Sequence, residues 1–213
     1  MNINVIKKIF PQINCNNINK LKYDQEGLWS ISRPVDADEI STKIKLFEKT
    51  GITINTILDS TAGLGGNTLS FANYFNKVIS VEYDTERFEL LKNNIDNYTY
   101  NNIVLHNFDF LQILKEINEQ IDVVFVDPPW GGPNYKFDDN LNIKISNTSL
   151  SDVCILLDNY SFNDNKIKII IFKLPYNFNY NEMIDNCKSI VKLHQIIKEG
   201  NIIYLLIHLD KNK

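Results

Sequence analysis

The stretch Asp127-Pro128-Pro129-Trp130-Gly131-Gly132-Pro133 restricts the possible chemistry more than any other part of the chain. Asp127 offers carboxylate oxygens, and Pro128 offers a carbonyl with no N–H of its own to compete. An –NH2 group lying between them donates both hydrogens and leaves its lone pair free to attack. Two prolines stiffen the turn, so its acceptors need little reorganisation. Trp130 supplies a flat face for a nucleobase, and such stacking is worth roughly 1–3 kcal/mol per base. A turn of Pro and Gly is a poor place to bury an indole, which favours a ligand-facing Trp130. The implied chemistry is attack by the exocyclic amine of a base.

The second constellation is Asp59-Ser60-Thr61-Ala62-Gly63-Leu64-Gly65-Gly66-Asn67, between an apolar run and a helical segment. Glycines here let the backbone turn tightly and approach a ligand closely. The G-x-G-x-x-G spacing of a dinucleotide loop is absent. An acid opening the loop suits the cationic amino-acid end of a ligand better than a pyrophosphate. Glu82 follows 23 residues later, placed to accept both ribose hydroxyls of an adenosyl group. Asp109 could take the adenine amino group, with Phe108 or Phe110 against the ring, and it also reads as a helix N-cap. An adenosyl group with an amino-acid tail describes S-adenosylmethionine, which carries the methyl that an attacking amine would take.

These residues must be held by regular elements. From residue 54 the chain alternates strand and helix. Ile54–Asp59 is a strand, Asn67–Phe75 a helix and Lys77–Tyr83 the next strand. Phe88, Leu91, Ile95 and Tyr98 repeat at helical spacing. Ile103–Asn107 is a third strand, and Asp109 opens a helix with Phe110, Ile113, Leu114 and Ile117 inward. Ile121–Val126 and Lys166–Leu174 are continuous apolar runs, as in parallel strands covered on both faces. Strands at Ser189–Lys198 and Ile202–Leu209 meet at Glu199-Gly200-Asn201, a connection too tight for a parallel crossover, so they run antiparallel. The prediction is an α/β, Rossmann-like, doubly wound and mostly parallel seven-stranded sheet with a C-terminal antiparallel strand. Residues 1–50 read as a mostly helical N-terminal arm and 51–213 as the catalytic domain. Pro133–Thr148 reads as a polar loop. Removing residues 1–35 is expected to leave a folded domain that turns over poorly.

Composition excludes several classes. The 213 residues suit one α/β domain with a short extension. The formal charge of −4 argues against gripping long nucleic-acid backbones, which takes many Lys and Arg contacts, yet permits one or a few nucleotides. Lys7, Lys8, Lys20, Lys22, Arg33, Lys43 and Lys45 crowd the first fifth of the chain, either as solvated surface or as a face toward phosphates. Apolar runs are too short to cross a bilayer and the start does not resemble a signal peptide, so the expected location is intracellular, in cytoplasm or nucleus. Cys15, Cys154 and Cys187 lack zinc-site spacing and read as reduced thiols. His106, His194 and His208 read as isolated core or edge residues. No metal is expected, and the protein is expected to be monomeric.

The string DPPWGGPNY resembles the S-P-P-W-G-G-P-(D/E)-Y motif of the trimethylguanosine synthase family of class I methyltransferases, which methylate N2 of the 7-methylguanosine RNA cap. DSTAGLGGNTLSFA is similar to that family's Gly loop, VISVEYD to its second strand, NFDF to its G-D-(F/W) element and DQEGLWSISRP to its lead-in. The resemblance covers roughly residues 24–135. It implies that Trp130 stacks on the methylated guanine, with Asn134 and Tyr135 in the cap pocket. Glu82 would hold the ribose, Asp59 and Gly63 the methionine side, and Asn67 and Thr68 the helix start beside the cofactor.

Four departures stand out. Asp127 replaces a serine, which brings the turn closer to adenine-N6 enzymes, and Asn134 replaces an acid. Arg33 precedes Pro34, shifting the lead-in by one residue. The arginine expected after Leu174-Pro175 to meet cap phosphates is absent from Tyr176-Asn177. The expected activity is methyl transfer to the cap amine, with capped RNA or a cap nucleotide as partner. N6-adenine methylation and a non-catalytic cap-binding module are the alternatives.

Overall fold

A computed structural model describes residues 2–132, 134–138, 141–186, 190–198 and 202–210, the side chains of 190–198, 206, 208 and 210 excepted. Two compact units divide the chain, Met1–Phe110 and Leu111–Lys213.

The first unit opens with α1 (Ile3–Ile9), α2 (Gln25–Ser30) and α3 (Pro34–Leu46). The Asp24 carboxylate caps α2 and Pro34 begins α3, where its missing N–H costs nothing. Then come β1 (Thr56–Asp59), α4 (Gly66–Tyr74), β2 (Lys77–Glu82), α5 (Thr85–Ile95) and β3 (Ile103–Asn107). Both β1–β2 and β2–β3 pair in parallel, so the ends of β1, β2 and β3 share one edge. The arm is mostly helical, as expected, and it is woven into the core. Ile6, Ile9, Phe10 and Leu21 cluster with Leu64 and Leu69 around the Gly loop and with Leu91, Ile95 and Tyr98. Tyr98 lies beyond the end of α5, where it bridges Cys15. β1 starts two residues later than predicted, although Ile54 is still buried.

The short helix α6 (Phe110–Ile113) spans the boundary and stops earlier than predicted, with Leu114 buried in the following turn. The second unit contains β4 (Val123–Val126), two small ladders, α7 (Leu150–Asn159), β9 (Ile169–Pro175), α8 (Asn181–Asp185), β10 (Ile190–Lys198) and β11 (Ile202–Asp210). The ladders are β5 (Lys144–Ile145) with β6 (Thr148–Ser149), and β7 (Ser161–Phe162) with β8 (Asn165–Lys166). β4 and β9 are parallel, while β11 is antiparallel to both β9 and β10. A mixed α/β fold with a mostly parallel sheet and a C-terminal antiparallel strand is therefore present, as the sequence pattern required.

Two local expectations change. The 133–148 segment contains a 3-10 turn at Tyr135–Phe137 and the β5–β6 ladder, with Ile143 and Ile145 buried. Ser146 and Asn147 take positive φ of 48° and 66°, the geometry of a two-residue hairpin loop. The expected single strand from Lys166 is broken, because Asn163 and Asp164 make another such turn and Lys166 belongs to β8. Cys154 is buried and Cys15 half-buried, and both are thiols rather than disulfide partners. Cys187, the connection at Glu199-Gly200-Asn201, Pro133, and the side chains of His194 and His208 lie outside the described residues. No helix among the described residues is long and apolar enough to cross a membrane.

Candidate functional site

The residues expected to hold an adenosyl ligand lie in the first unit. Asp59 ends β1 fully buried, and its Oδ2 accepts the Thr68 hydroxyl at 2.7 Å. Thr68 and Ser80 Oγ are 2.9 Å apart, so β1, α4 and β2 are joined by one buried polar chain. The loop between them is pinned residue by residue. Ala62 N–H donates to Val81 O and Gly65 N–H to Ala62 O, both at 2.9 Å. Asn94 Nδ2 reaches Leu64 O at 3.2 Å and Lys22 O at 3.0 Å, tying the loop to α5 and the arm. Gly63 and Gly65 have φ of 57° and 97°, values that side chains with Cβ rarely adopt. At Gly66 a Cβ would lie 2.6 Å from Ser32 O, so only glycine lets the lead-in backbone come this close.

Glu82 ends β2. Its Oε2 accepts the Gly63 N–H at 2.8 Å and its Oε1 the Asp84 N–H at 2.9 Å. Burial pushes this carboxyl above the ordinary range, opposed by the two N–H bonds and by the Arg87 charge. Arg87 itself is held by Asp24 at 2.8 Å and Glu26 at 2.9 Å, both at the start of α2. Asn67 is 6% exposed, and its Nδ2 donates to Ser32 Oγ at 3.0 Å. Its Oδ1 is buried without a protein partner. A buried acceptor left open at the helix start fits a ligand donor such as an ammonium group. Asp109 is half-buried. Of the two rings flanking it, Phe110 belongs to the core and Phe108 is 36% exposed, so Phe108 is the ring open to a ligand.

The residues expected to hold a base lie in the second unit. The register that pairs Val126 with Phe172 brings Asp127 level with Lys173 on the neighbouring strand. Lys173 Nζ is 2.6 Å from Asp127 Oδ2, with side chains only 7% and 16% exposed. Burial pushes the Asp127 carboxyl up, and the Lys173 charge and hydrogen bond pull it back. Pro128 is buried, while Pro129 is exposed. Trp130 is half-buried, and its Nε1 donates to Lys173 O at 3.3 Å. Its ring meets Tyr135 edge to face, with centroids 5.0 Å apart at 77°. Gly131 and Gly132 take φ of 90° and 83° to bring Tyr135 back toward Trp130. Asn134 is exposed and precedes the 3-10 turn.

Two contributors escaped the sequence pattern. Asn177 Nδ2 donates to Tyr135 O at 3.0 Å and Asp138 O at 2.7 Å, clamping the turn behind Tyr135. It occupies the region where an arginine was expected. Lys173 is the other, and its signal was visible as one charge inside the apolar run IIIFKLP. A charge in such a run must be paired to stay buried. Among the described residues no group of His, Cys, Asp and Glu could hold a metal ion.

Residues 54–211 match the model of the RNA cap guanine-N2 methyltransferase family. A protein of Acanthamoeba polyphaga mimivirus, L320, is 33% identical over 88% of this chain and 80% of its own length. The trimethylguanosine synthase of Schizosaccharomyces pombe is 31% identical over 56% of this chain, a match that spans 53% of the fungal protein. Among solved structures, a precorrin-6y C5,15-methyltransferase from Geobacter metallireducens superposes with a TM-score of 0.60 at 12% identity, over 94% of this chain and all of that one. A putative methyltransferase of Escherichia coli, yhhF, gives 0.56 at 17% identity, over 82% and 88%. These two likenesses establish the Rossmann-like methyltransferase fold. By the span of the family match, the chain is a methyltransferase and belongs to the RNA cap guanine-N2 methyltransferase family.

Proposed function

We propose that this protein transfers a methyl from S-adenosylmethionine to the exocyclic N2 amine of a 7-methylguanosine cap. The observation that carries this reading is the Trp130–Tyr135 edge-to-face pair on the turn that begins with Asp127, within a chain of this family. A 7-methylguanine ring is cationic, so an indole face adds about 0.5–2 kcal/mol of cation–π attraction to plain stacking. That attraction selects against the unmethylated base without any base-edge contact.

When bound, S-adenosylmethionine supplies an electrophilic methyl. Glu82 accepts the ribose hydroxyls with the lone pairs its two backbone contacts leave over. Asn67 Oδ1 takes the ammonium end, Asp109 the adenine amine, and Gly63 lets the backbone approach. Asp59 and Thr68 act by holding the loop in place. Asp127 and the Pro128 carbonyl accept the two hydrogens of the base amine and aim its lone pair. Trp130 fixes the base plane, with Tyr135 and Asn134 at its rim. Proximity does most of the work once amine and methyl lie within roughly 3–3.5 Å. The amine proton leaves after attack, so a strong general base is not required.

Incubation with labelled S-adenosylmethionine and, in parallel, 7-methyl-GDP, GTP and an adenine-containing oligonucleotide tests this. Label on 7-methyl-GDP alone is the expected result. Label on the oligonucleotide alone supports the N6-adenine reading that Asp127 favours, and label on none supports a non-catalytic module.

A further inference from the structure

Every residue of β9 is buried, Lys173 included, in the middle of a run of Ile, Phe and Leu. A lone ammonium there would be strongly unfavourable. Its charge is met by Asp127 Oδ2 at 2.6 Å. The same residue touches the stacking platform twice. Its carbonyl accepts Trp130 Nε1 at 3.3 Å, and its Nζ stands 5.9 Å from the indole ring centre. One residue thus sets both the acceptor and the platform of the base-holding turn.

Resting on the reading of Asp127 as the amine's acceptor, we propose that Lys173 is a positioning residue that keeps Asp127 an ionised, oriented acceptor. The Asp127–Lys173 pair then acts as one unit, standing where the family has a single serine. The chemistry behind it is direct. Protonation turns one of the two acceptor oxygens of Asp127 into an O–H donor, so the acid is a weaker acceptor for the amine than the carboxylate. Burial raises the Asp127 carboxyl and Lys173 offsets part of that rise, so removing the lysine shifts the balance further toward the protonated form.

The test is kcat and KM for methyl transfer to 7-methyl-GDP, from mildly acid to mildly alkaline pH, in wild type, Lys173→Arg, Lys173→Met and the double variant Lys173→Met with Asp127→Ser. Lys173→Met should lower kcat severalfold at neutral pH, because burial without the counter-charge leaves more of Asp127 protonated. The loss should shrink as pH rises and Asp127 ionises, with KM for S-adenosylmethionine unchanged. Lys173→Arg should keep the position of the pH profile even where it lowers the rate. The double variant should regain activity over Lys173→Met, because a serine needs no counter-charge. Should Lys173→Met fail to fold, seen by circular dichroism, the double and Arg variants decide the matter. Wild-type kcat in Lys173→Met, a pH-independent loss, or an inactive double variant overturns the proposal. If wild type labels adenine instead of 7-methyl-GDP, the cap reading fails, and the same series on the oligonucleotide still tests Lys173.

Discussion

Glu82 Oε2 accepts the backbone N–H of Gly63 at 2.8 Å, so the acid that ends β2 also fixes the Gly loop that follows β1. Its other oxygen accepts the Asp84 N–H. A glutamine has one acceptor oxygen, and either orientation of its amide turns an –NH2 against one of these N–H groups. Glu82→Gln should therefore behave like Glu82→Ala. Each should weaken S-adenosylhomocysteine binding by about 1.5–3 kcal/mol, the range for hydrogen bonds to a charged group. Calorimetry giving wild-type affinity for either variant removes Glu82 from the site.

The same carboxyl sets a pH dependence. Burial raises its pKa above the usual carboxylate value of about 4.3. Ligand hydroxyls need the ionised form, so affinity is full above the raised pKa and falls as pH drops through it. Stability runs the other way. A carboxyl raised on folding contributes stability at low pH and loses it as pH rises through the folded pKa. Weaker binding in acid should therefore come without unfolding at this group, and Glu82→Gln should flatten the affinity profile. A wild-type affinity that holds constant down to the ordinary carboxylate range contradicts this.

The parallel strands were legible because VVFV is a continuous apolar run and Ile57-Leu58 are buried just before the acid that opens the Gly turn. The site motifs were legible because prolines, glycines and a tryptophan have few structural uses in combination. Contacts between segments distant in sequence were not. Nothing in the local pattern of Asn177 announces that its amide reaches Tyr135 and Asp138 about forty residues earlier, or that Asn94 holds Leu64 and Lys22. The arm read as dispensable for folding, though not for turnover, because its helices are short, while its weight lies in a few side chains buried against the Gly loop.

Phe10 tests that weight. It is 1% exposed and belongs to the cluster containing Leu64 and Leu69. Phe10→Ala should cost about 3–5 kcal/mol in urea unfolding, the usual range for emptying a buried aromatic site. It should also weaken S-adenosylhomocysteine binding, since the cluster supports the loop. Deleting residues 1–35 should abolish cooperative folding, against the expectation from sequence. A deleted chain that melts cooperatively and binds normally would make the arm dispensable.

Asn177 should affect the base side alone. Its Nδ2 donates to two carbonyls, so Asn177→Asp sets a carboxylate against both of them. That variant should bind 7-methyl-GDP more weakly than Asn177→Ala, which merely releases the turn. Neither should change S-adenosylhomocysteine affinity. If both variants bind the nucleotide like wild type, the Tyr135 turn does not depend on its clamp.

Trp130 separates the two nucleobase readings. Trp130→Phe removes several things at once: the Nε1 bond to Lys173 O, part of the edge-to-face contact with Tyr135, and π-surface. The first two losses loosen the turn for any base, so they weaken 7-methyl-GDP and GDP alike. The charge-dependent attraction is different, because only the methylated ring is cationic. The gap between the two affinities therefore isolates the cation–π contribution, about 0.5–2 kcal/mol. Wild type should favour 7-methyl-GDP by a gap of that order, and Trp130→Phe should narrow it while lowering both affinities. Trp130→Ala should lose most binding of both, because stacking worth about 1–3 kcal/mol has gone. Calorimetric titration of the two nucleotides into the three proteins measures all of these. Equal wild-type affinity for 7-methyl-GDP and GDP would exclude the cap reading and leave adenine as the base that Asp127 and Trp130 hold.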